Sequence, residues 1–186
     1  QRQKMYNVYR QTLNIPMIFS NPILFPAAEE THALSGLIDL MPTLATVAGV
    51  DKTHWNFQGK DLTPVLENPD LDVQSYIHFT YDDDYLTLPN PKDMGPCHIR
   101  CIVSKTWKYA VYFDPKYGQR AQYEMYDLVK DPAEMNNLAW EKDSGGIKRQ
   151  ELHQDLTKVM LELGTMPDAI IWPKVSGEDV AATQPD

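Results

Sequence analysis

The chain has 186 residues, 42% of them hydrophobic, with a formal net charge of -9, which supplies a sizeable core for one domain, or one and a piece of another. The acidic balance argues against a nucleic-acid backbone partner, because phosphate binding needs a basic face. No run approaches the roughly 18 apolar residues of a membrane span, and the polar start Gln1-Arg2-Gln3-Lys4 does not read as a signal peptide.

In chain order, the first shaped stretch is LNIPMIFSNPILFP, an apolar run broken by prolines. Met17, Ile18 and Phe19, without alternation, predict a short strand buried on both faces, as inside a parallel sheet flanked by helices. In HALSGLIDLMPTLATVAGV, Ala33 to Ile38 reads as another buried strand and Asp39 as a helix N-cap. Pro42 then lies in the first turn and Gly49 closes the helix, whose stripe is Leu40, Leu44, Val47 and Ala48. Residues Asp51 to Asp72 read as a connection holding at most one short helical turn in GKDLTPVLENPD.

After this connection the period changes from 3.6 to 2. SYIHFTY, HIRCIVS, WKYAVYF and YEMYDL are short, aromatic and β-branched, and turn residues separate them; four antiparallel strands are predicted. The loop between the first two, DDDYLTLPNPKDMGPC, is about 16 residues, well beyond a usual hairpin connection. DPAEMNNLA is expected to start a helical turn with Asp131 as cap and Pro132 at the first helical position. IKRQELHQDLTKVMLELG predicts a helix with Leu152, Leu156, Val159, Met160 and Leu163 on one stripe, ending at Gly164 and covering one sheet face. The proline-bearing tail from Pro173 is expected to be loosely held.

Cys97 and Cys101, four apart along a strand, would lie about 13 Å apart on one face and should not pair with each other. Further metal-type ligands at matching spacing are missing, which disfavours zinc. The cysteines leave the compartment open.

By chemistry alone, YEMYDLVKDPAEMNNLA is a strand-to-helix junction whose residues can all be structural. Its wording says more: EMYDLVKDPAEMNNLA resembles the C-terminal signature of the type I sulfatases of the alkaline-phosphatase-like superfamily. Four other segments agree in order. IDLMPTLATVAGV is similar to the family's Asp-x-x-Pro-Thr helix, and FQGKDLTPVLE to its Gly-x-Asp-Leu linker. IRCIVSKTWKYAVYFD resembles its Arg-then-Trp-Lys-Tyr hairpin, and KMYNVYRQTLNIPMIFSNP the passage into a late strand of the main sheet.

The resemblance implies an α/β protein: the end of a large parallel α/β sheet and linker over 1–72, then a small four-stranded antiparallel sheet packed by a C-terminal helix over 73–186. It implies a sulfuric ester hydrolase acting on a sulfate-ester small molecule or a sulfated sugar. A phosphonate or phosphate monoester hydrolase of the same superfamily and a non-catalytic binding or oligomerisation module are the alternatives. In the family the nucleophile is a formylglycine made in a Cys/Ser-x-Pro-x-Arg motif, and calcium is held by side chains supplied mostly upstream. Neither Cys97 nor Cys101 has a proline two residues later, so this segment alone is expected to be inactive, with formylglycine and calcium belonging to an N-terminal part.

Lys4 matches the family passage in which a lysine contacts the sulfate, where an ammonium can neutralise charge on the leaving group; otherwise it is a solvated lysine beside Arg2. His98 and Arg100 alternate with Ile99 on one strand face and together could grip an anionic or hydroxylated substrate group. Their structural alternative is a local ion pair and a turn cap. The carboxylates of YDDDY, residues 81–85, could attract calcium, but neighbours in a row cannot all converge on one ion, which favours a solvated acidic loop. Trp107, Tyr109, Tyr112 and Phe113 read as sheet packing. An early strand and helix without neighbours would expose apolar surface, from which self-association is expected.

Overall fold

The computed structural model of the chain describes residues 7–82, 96–116, 120–141, 144–168 and 172–173. Two compact units are present, one of Gln1–Asn14 with His78–Asp186 and one of Ile15–Ile77. The residues ahead of Ile15, expected with the first 72, therefore belong to the sheet unit.

That unit is built on a four-stranded sheet in the order β1 (Ile77–Tyr81), β2 (His98–Val103), β3 (Trp107–Phe113), β4 (Gln122–Asp127). β2 and β3 pair antiparallel with Arg100 opposite Val111, and β3 and β4 pair antiparallel with Ala110 opposite Glu124. Period-2 alternation sends Lys108, Ala110 and Tyr112 to one face and Tyr109, Val111 and Phe113 to the other. Both faces of this strand are buried, which explains its nearly continuous apolar composition.

The helix α4 (Ser144–Leu163) covers the second face. Leu152, Leu156 and Met160, spaced by four, are at most 2% exposed, so the predicted stripe is the one that packs. Gly164 at φ 65 ends the helix, and the Thr165 amide returns to the Met160 carbonyl at 2.9 Å, an ending that favours glycine because of its left-handed backbone. Trp172, buried beyond the helix, meets Phe113 edge-on at 5.6 Å. The predicted loose tail lies, after Pro173, outside the described residues.

The first face is covered by residues within 7–14. Val8 is fully buried in a cluster with Ile99, Cys101, Ala110 and Tyr112, and the short helix α1 (Arg10–Leu13) follows it. Side chains satisfy the Val8 backbone: its amide donates to the Tyr112 hydroxyl at 3.2 Å, and its carbonyl accepts from Lys108 Nζ at 2.8 Å. Lys108 also bonds the buried Glu134 carboxylate, whose other oxygen accepts the Arg10 amide at 2.8 Å.

This network explains the segment after β4. Residues 131–137 form turns, not the predicted helical turn. Glu134 takes a left-handed φ of 58, which interrupts a helix and carries its carboxylate to Lys108; an ion pair only 3% and 1% exposed decides the backbone. Asn137 then imitates a neighbouring strand along the edge of β4. Its amide oxygen accepts from the Met125 amide at 3.0 Å and its nitrogen donates to the Tyr123 carbonyl at 2.9 Å, closing groups that an edge would leave open. A 3-10 turn follows at Leu138–Trp140.

In the second unit α2 (Leu40–Val47) ends at Gly49 with φ 67 as predicted, and α3 (Thr63–Glu67) is the single short turn foreseen. Met17–Phe19 and Ala33–Ile38 are not strands, and Ile18 is 86% exposed. A strand needs a neighbour to satisfy its backbone, and no described residue pairs with either run. α2 turns Pro42 and Thr43 inward, while Leu44 and Val47 of the predicted stripe, with Met41, are exposed.

The motifs of this unit interlock through Asp39, which is fully buried. It does not cap α2 by its side chain; it accepts from the Gly36 amide at 2.8 Å, the Lys60 amide at 2.7 Å and Gln74 Nε2 at 2.8 Å. Thr43 donates to the Asp39 carbonyl and accepts from the Leu62 amide. Gly59 passes so close that a Cβ there would stand 2.1 Å from the Ile38 carbonyl oxygen. Asp61 binds Thr46, Thr63 and Lys52. Burial works against its ionised form, but these donors outweigh it and hold its pKa below the ordinary carboxylate range.

Candidate functional site

β2 brings His98 and Arg100 to the α4 face, at the end of the helix. Arg100 is 6% exposed, and its guanidinium lies 5.4 Å from the Phe113 ring centroid. Its Nε donates to the Thr165 carbonyl at 3.0 Å and Nη1 to the Ile99 carbonyl at 2.9 Å. Nη1 and Nη2 reach the two oxygens of Asp82 at 2.7 and 3.1 Å. Such a bidentate fork gives both strength and orientation. His98 Nε2 stands 3.8 Å from the same carboxylate, and its ring packs on Phe113 at 5.5 Å. The predicted pair thus shares a face and a partner.

Asp82 is half exposed, whereas among the described residues the other hydrogen-bond acceptors of Arg100 are backbone carbonyls. An anion entering here would compete with Asp82 for the two Nη groups while the Nε and backbone contacts keep the fork aimed. His98 is placed to add a second donor when protonated. The sequence does not single out Thr165, and Phe113 reads there only as sheet packing. Asp82 reads only as part of the acidic run YDDDY, for which a solvated loop is favoured over a calcium site.

Beside this cluster, His78 bridges β2 and the helix end. Its Nδ1 lies 2.9 Å from the Cys101 carbonyl and its Nε2 2.9 Å from Thr165 Oγ1. Burial, with the Arg100 charge nearby, lowers its pKa, opposed by the Cys101 bond, so the neutral ring is favoured. The Nδ1 proton then goes to the carbonyl and Thr165 donates to Nε2.

Lys4 and residues 83–85 of YDDDY lie outside the described residues. Cys97 and Cys101 are both buried free thiols, in agreement with the prediction that they do not pair. Neither suits formylglycine: no proline follows at the required spacing, and burial pushes the Cys101 thiol up to about 12. Among the described residues no group of three or more His, Cys, Asp or Glu could hold a metal ion. No helix among them is long and apolar enough to cross a membrane. Tyr109, Tyr112 and Phe113 are buried, as expected of sheet packing.

Comparison with known proteins places this geometry. The family profile of N-sulphoglucosamine sulphohydrolase, C-terminal, matches residues 3–162. The chain is 29% identical over 147 residues to an N-acetylglucosamine-6-O-sulfatase of Bacteroides thetaiotaomicron, covering 79% of this chain and 25% of that protein. It is 30% identical over 143 residues to a Δ4,5-hexuronate-2-O-sulfatase of the same organism, covering 73% and 26%, and 24% identical over 135 residues to rat arylsulfatase K, covering 73% and 23%. The chain therefore spans about a quarter of the length of these relatives. Among solved structures it is similar to a protein in complex with its substrate D-glucosamine-2-N,6-O-disulfate, at a TM-score of 0.54 and 27% identity over 68% of this chain and 24% of that one. The four-stranded sheet with its C-terminal helix, the ordered motifs and the match across 3–162 together lead to one conclusion: the chain belongs to the C-terminal domain family of the type I sulfatases.

Proposed function

We propose that this chain serves as the C-terminal part of a sulfatase acting on a sulfated sugar, and that the fragment by itself is inactive. The observation that carries this reading is the His98–Arg100 pair: a guanidinium aimed by the Ile99 and Thr165 carbonyls, with exposed Asp82 as its exchangeable partner. Sulfate esters and sugar carboxylates are the anions that a planar two-pronged donor recognises. Relatives named for sulfated amino sugars and uronates support the substrate class.

In this proposal the formylglycine nucleophile and calcium come from the catalytic part, Lys4 neutralises charge on the leaving sulfate, and His98 with Arg100 forms one pocket wall. When bound, calcium would stabilise sulfate oxygens; the described residues contribute orientation and charge. Exposed Met41, Leu44 and Val47 support the further proposal that the isolated chain self-associates, and a clean monomer by size-exclusion chromatography would refute it.

The test is sulfate release from D-glucosamine disulfate by the full-length gene product, with a phosphate monoester as control. Arg100→Ala is expected to raise KM and Lys4→Ala to lower kcat, each by about tenfold or more. Turnover by the 186-residue chain alone, or preferential release of phosphate, would overturn the reading.

A further inference from the structure

Arg100 meets Asp82 as a planar fork, and such a donor recognises an anion only while its plane is held. The residue that holds it lies where α4 ends. After Gly164 the Thr165 amide returns to the Met160 carbonyl at 2.9 Å, and the Thr165 carbonyl accepts Arg100 Nε at 3.0 Å. Residues 165–168 form neither helix nor strand, so no regular ladder fixes that carbonyl. A side-chain bond does: Thr165 Oγ1 lies 2.9 Å from Nε2 of His78 on β1. His78 Nδ1 in turn lies 2.9 Å from the carbonyl of Cys101, the residue after Arg100 on β2. A closed ring results, running from Arg100 through Thr165, His78 and Cys101 and back to Arg100 along the strand.

We infer that His78 and the Thr165 hydroxyl are positioning residues, which lock the Arg100 guanidinium in the plane that turns its two Nη groups toward the Asp82 position.

The geometry gives the reason. Two backbone acceptors, Ile99 on Nη1 and Thr165 on Nε, fix the orientation of the guanidinium; one acceptor would leave it free to turn. Contact with the Phe113 ring at 5.4 Å restrains its place and sets no hydrogen-bond direction. Asp82 cannot serve as the second anchor, because it is half exposed and is the partner an incoming anion would displace. The end of a helix opens more readily than its middle, so the Thr165 carbonyl needs its own tether. His78 provides it with both ring nitrogens: the neutral ring gives its Nδ1 proton to the Cys101 carbonyl and takes the Thr165 hydroxyl proton at Nε2. The inference rests on the proposed role of Arg100 in anion binding and adds the residues that keep it aimed.

The test uses the full-length gene product with D-glucosamine disulfate. Thr165→Val removes the hydroxyl and keeps the backbone carbonyl; it should raise KM by about three- to tenfold with kcat within about twofold. Thr165→Ser, which keeps the hydroxyl, should retain the wild-type KM. His78→Ala should match Thr165→Val, and combining the two should add nothing; Thr165→Val should likewise add nothing in an Arg100→Ala background. Nitrogen-15 spectra of the same protein labelled at arginine read the anchor directly. Exchange of the Arg100 Nε proton should quicken by about threefold or more in Thr165→Val and stay unchanged in Thr165→Ser. Nε exchange unaffected by Thr165→Val, or an equal KM increase in the Arg100→Ala background, would overturn the inference. Unchanged KM in Arg100→Ala itself would refute the sulfate reading instead, and Nε exchange would then decide the positioning role alone.

Discussion

Replacing His153 by Gln is expected to reshape the pH dependence of stability. His153 sits on α4 with Nδ1 3.0 Å from the Tyr109 hydroxyl and stacks on Trp172 at 5.1 Å. Burial, reinforced by the Arg149 charge and opposed by the Pro173 backbone, pushes its pKa from 6.5 to about 4. The unfolded chain therefore takes up a proton near pH 6.5 that the folded chain refuses until about pH 4. The contribution is complete above 6.5 and is lost as pH falls through that window, a change of about 3 kcal/mol. Glu124 has the opposite sign: its folded pKa is raised from 4.5 to about 7, so its contribution is complete below 4.5 and is lost as pH rises through 7. Between pH 4.5 and 6.5 the two slopes oppose each other, and the wild-type profile conceals both.

Urea unfolding of wild type and His153→Gln from pH 4 to 8, followed by tryptophan fluorescence, separates them. The variant should be the less stable at pH 7.5, having lost the stacked ring. Its deficit should then shrink, or reverse, by about 2–3 kcal/mol on going to pH 4. A deficit independent of pH, or an imidazole resonance titrating near 6.5, would refute the reasoning.

Gly59→Ala should cost about 2–3 kcal/mol, because the added Cβ meets the Ile38 carbonyl oxygen at 2.1 Å; unchanged exchange of the Lys60 amide would contradict this. Lys108→Met should cost about 3–5 kcal/mol by stranding buried Glu134, and adding Glu134→Leu should recover much of it in a double-mutant cycle; strict additivity would argue against the pair. Asn137→Ala should cost about 1–2 kcal/mol through the loss of its bonds to Met125 and Tyr123, with faster Met125 amide exchange as the check.

The four sheet strands, the end of α4 at Gly164 and the end of α2 at Gly49 were all determined by the sequence itself. Their causes are local: alternation presents one apolar face, a spacing of four makes one stripe, and a left-handed terminus favours glycine. The pairing of His98 with Arg100 on one face follows from the same period. Which partner fills the fork does not, because Asp82 lies 18 residues from Arg100 and is one of several carboxylates in its run. Apolar composition likewise made Met17–Phe19 and Ala33–Ile38 resemble strands, although strand formation depends on a neighbour that composition cannot specify. The motif residues Asp39, Gly59, Glu134 and Asn137 could be recognised in the sequence, but their work could not. Each acts on a backbone group or charge distant along the chain, and only the folded structure brings Lys60 to Asp39, Lys108 to Glu134 and the β4 edge to Asn137.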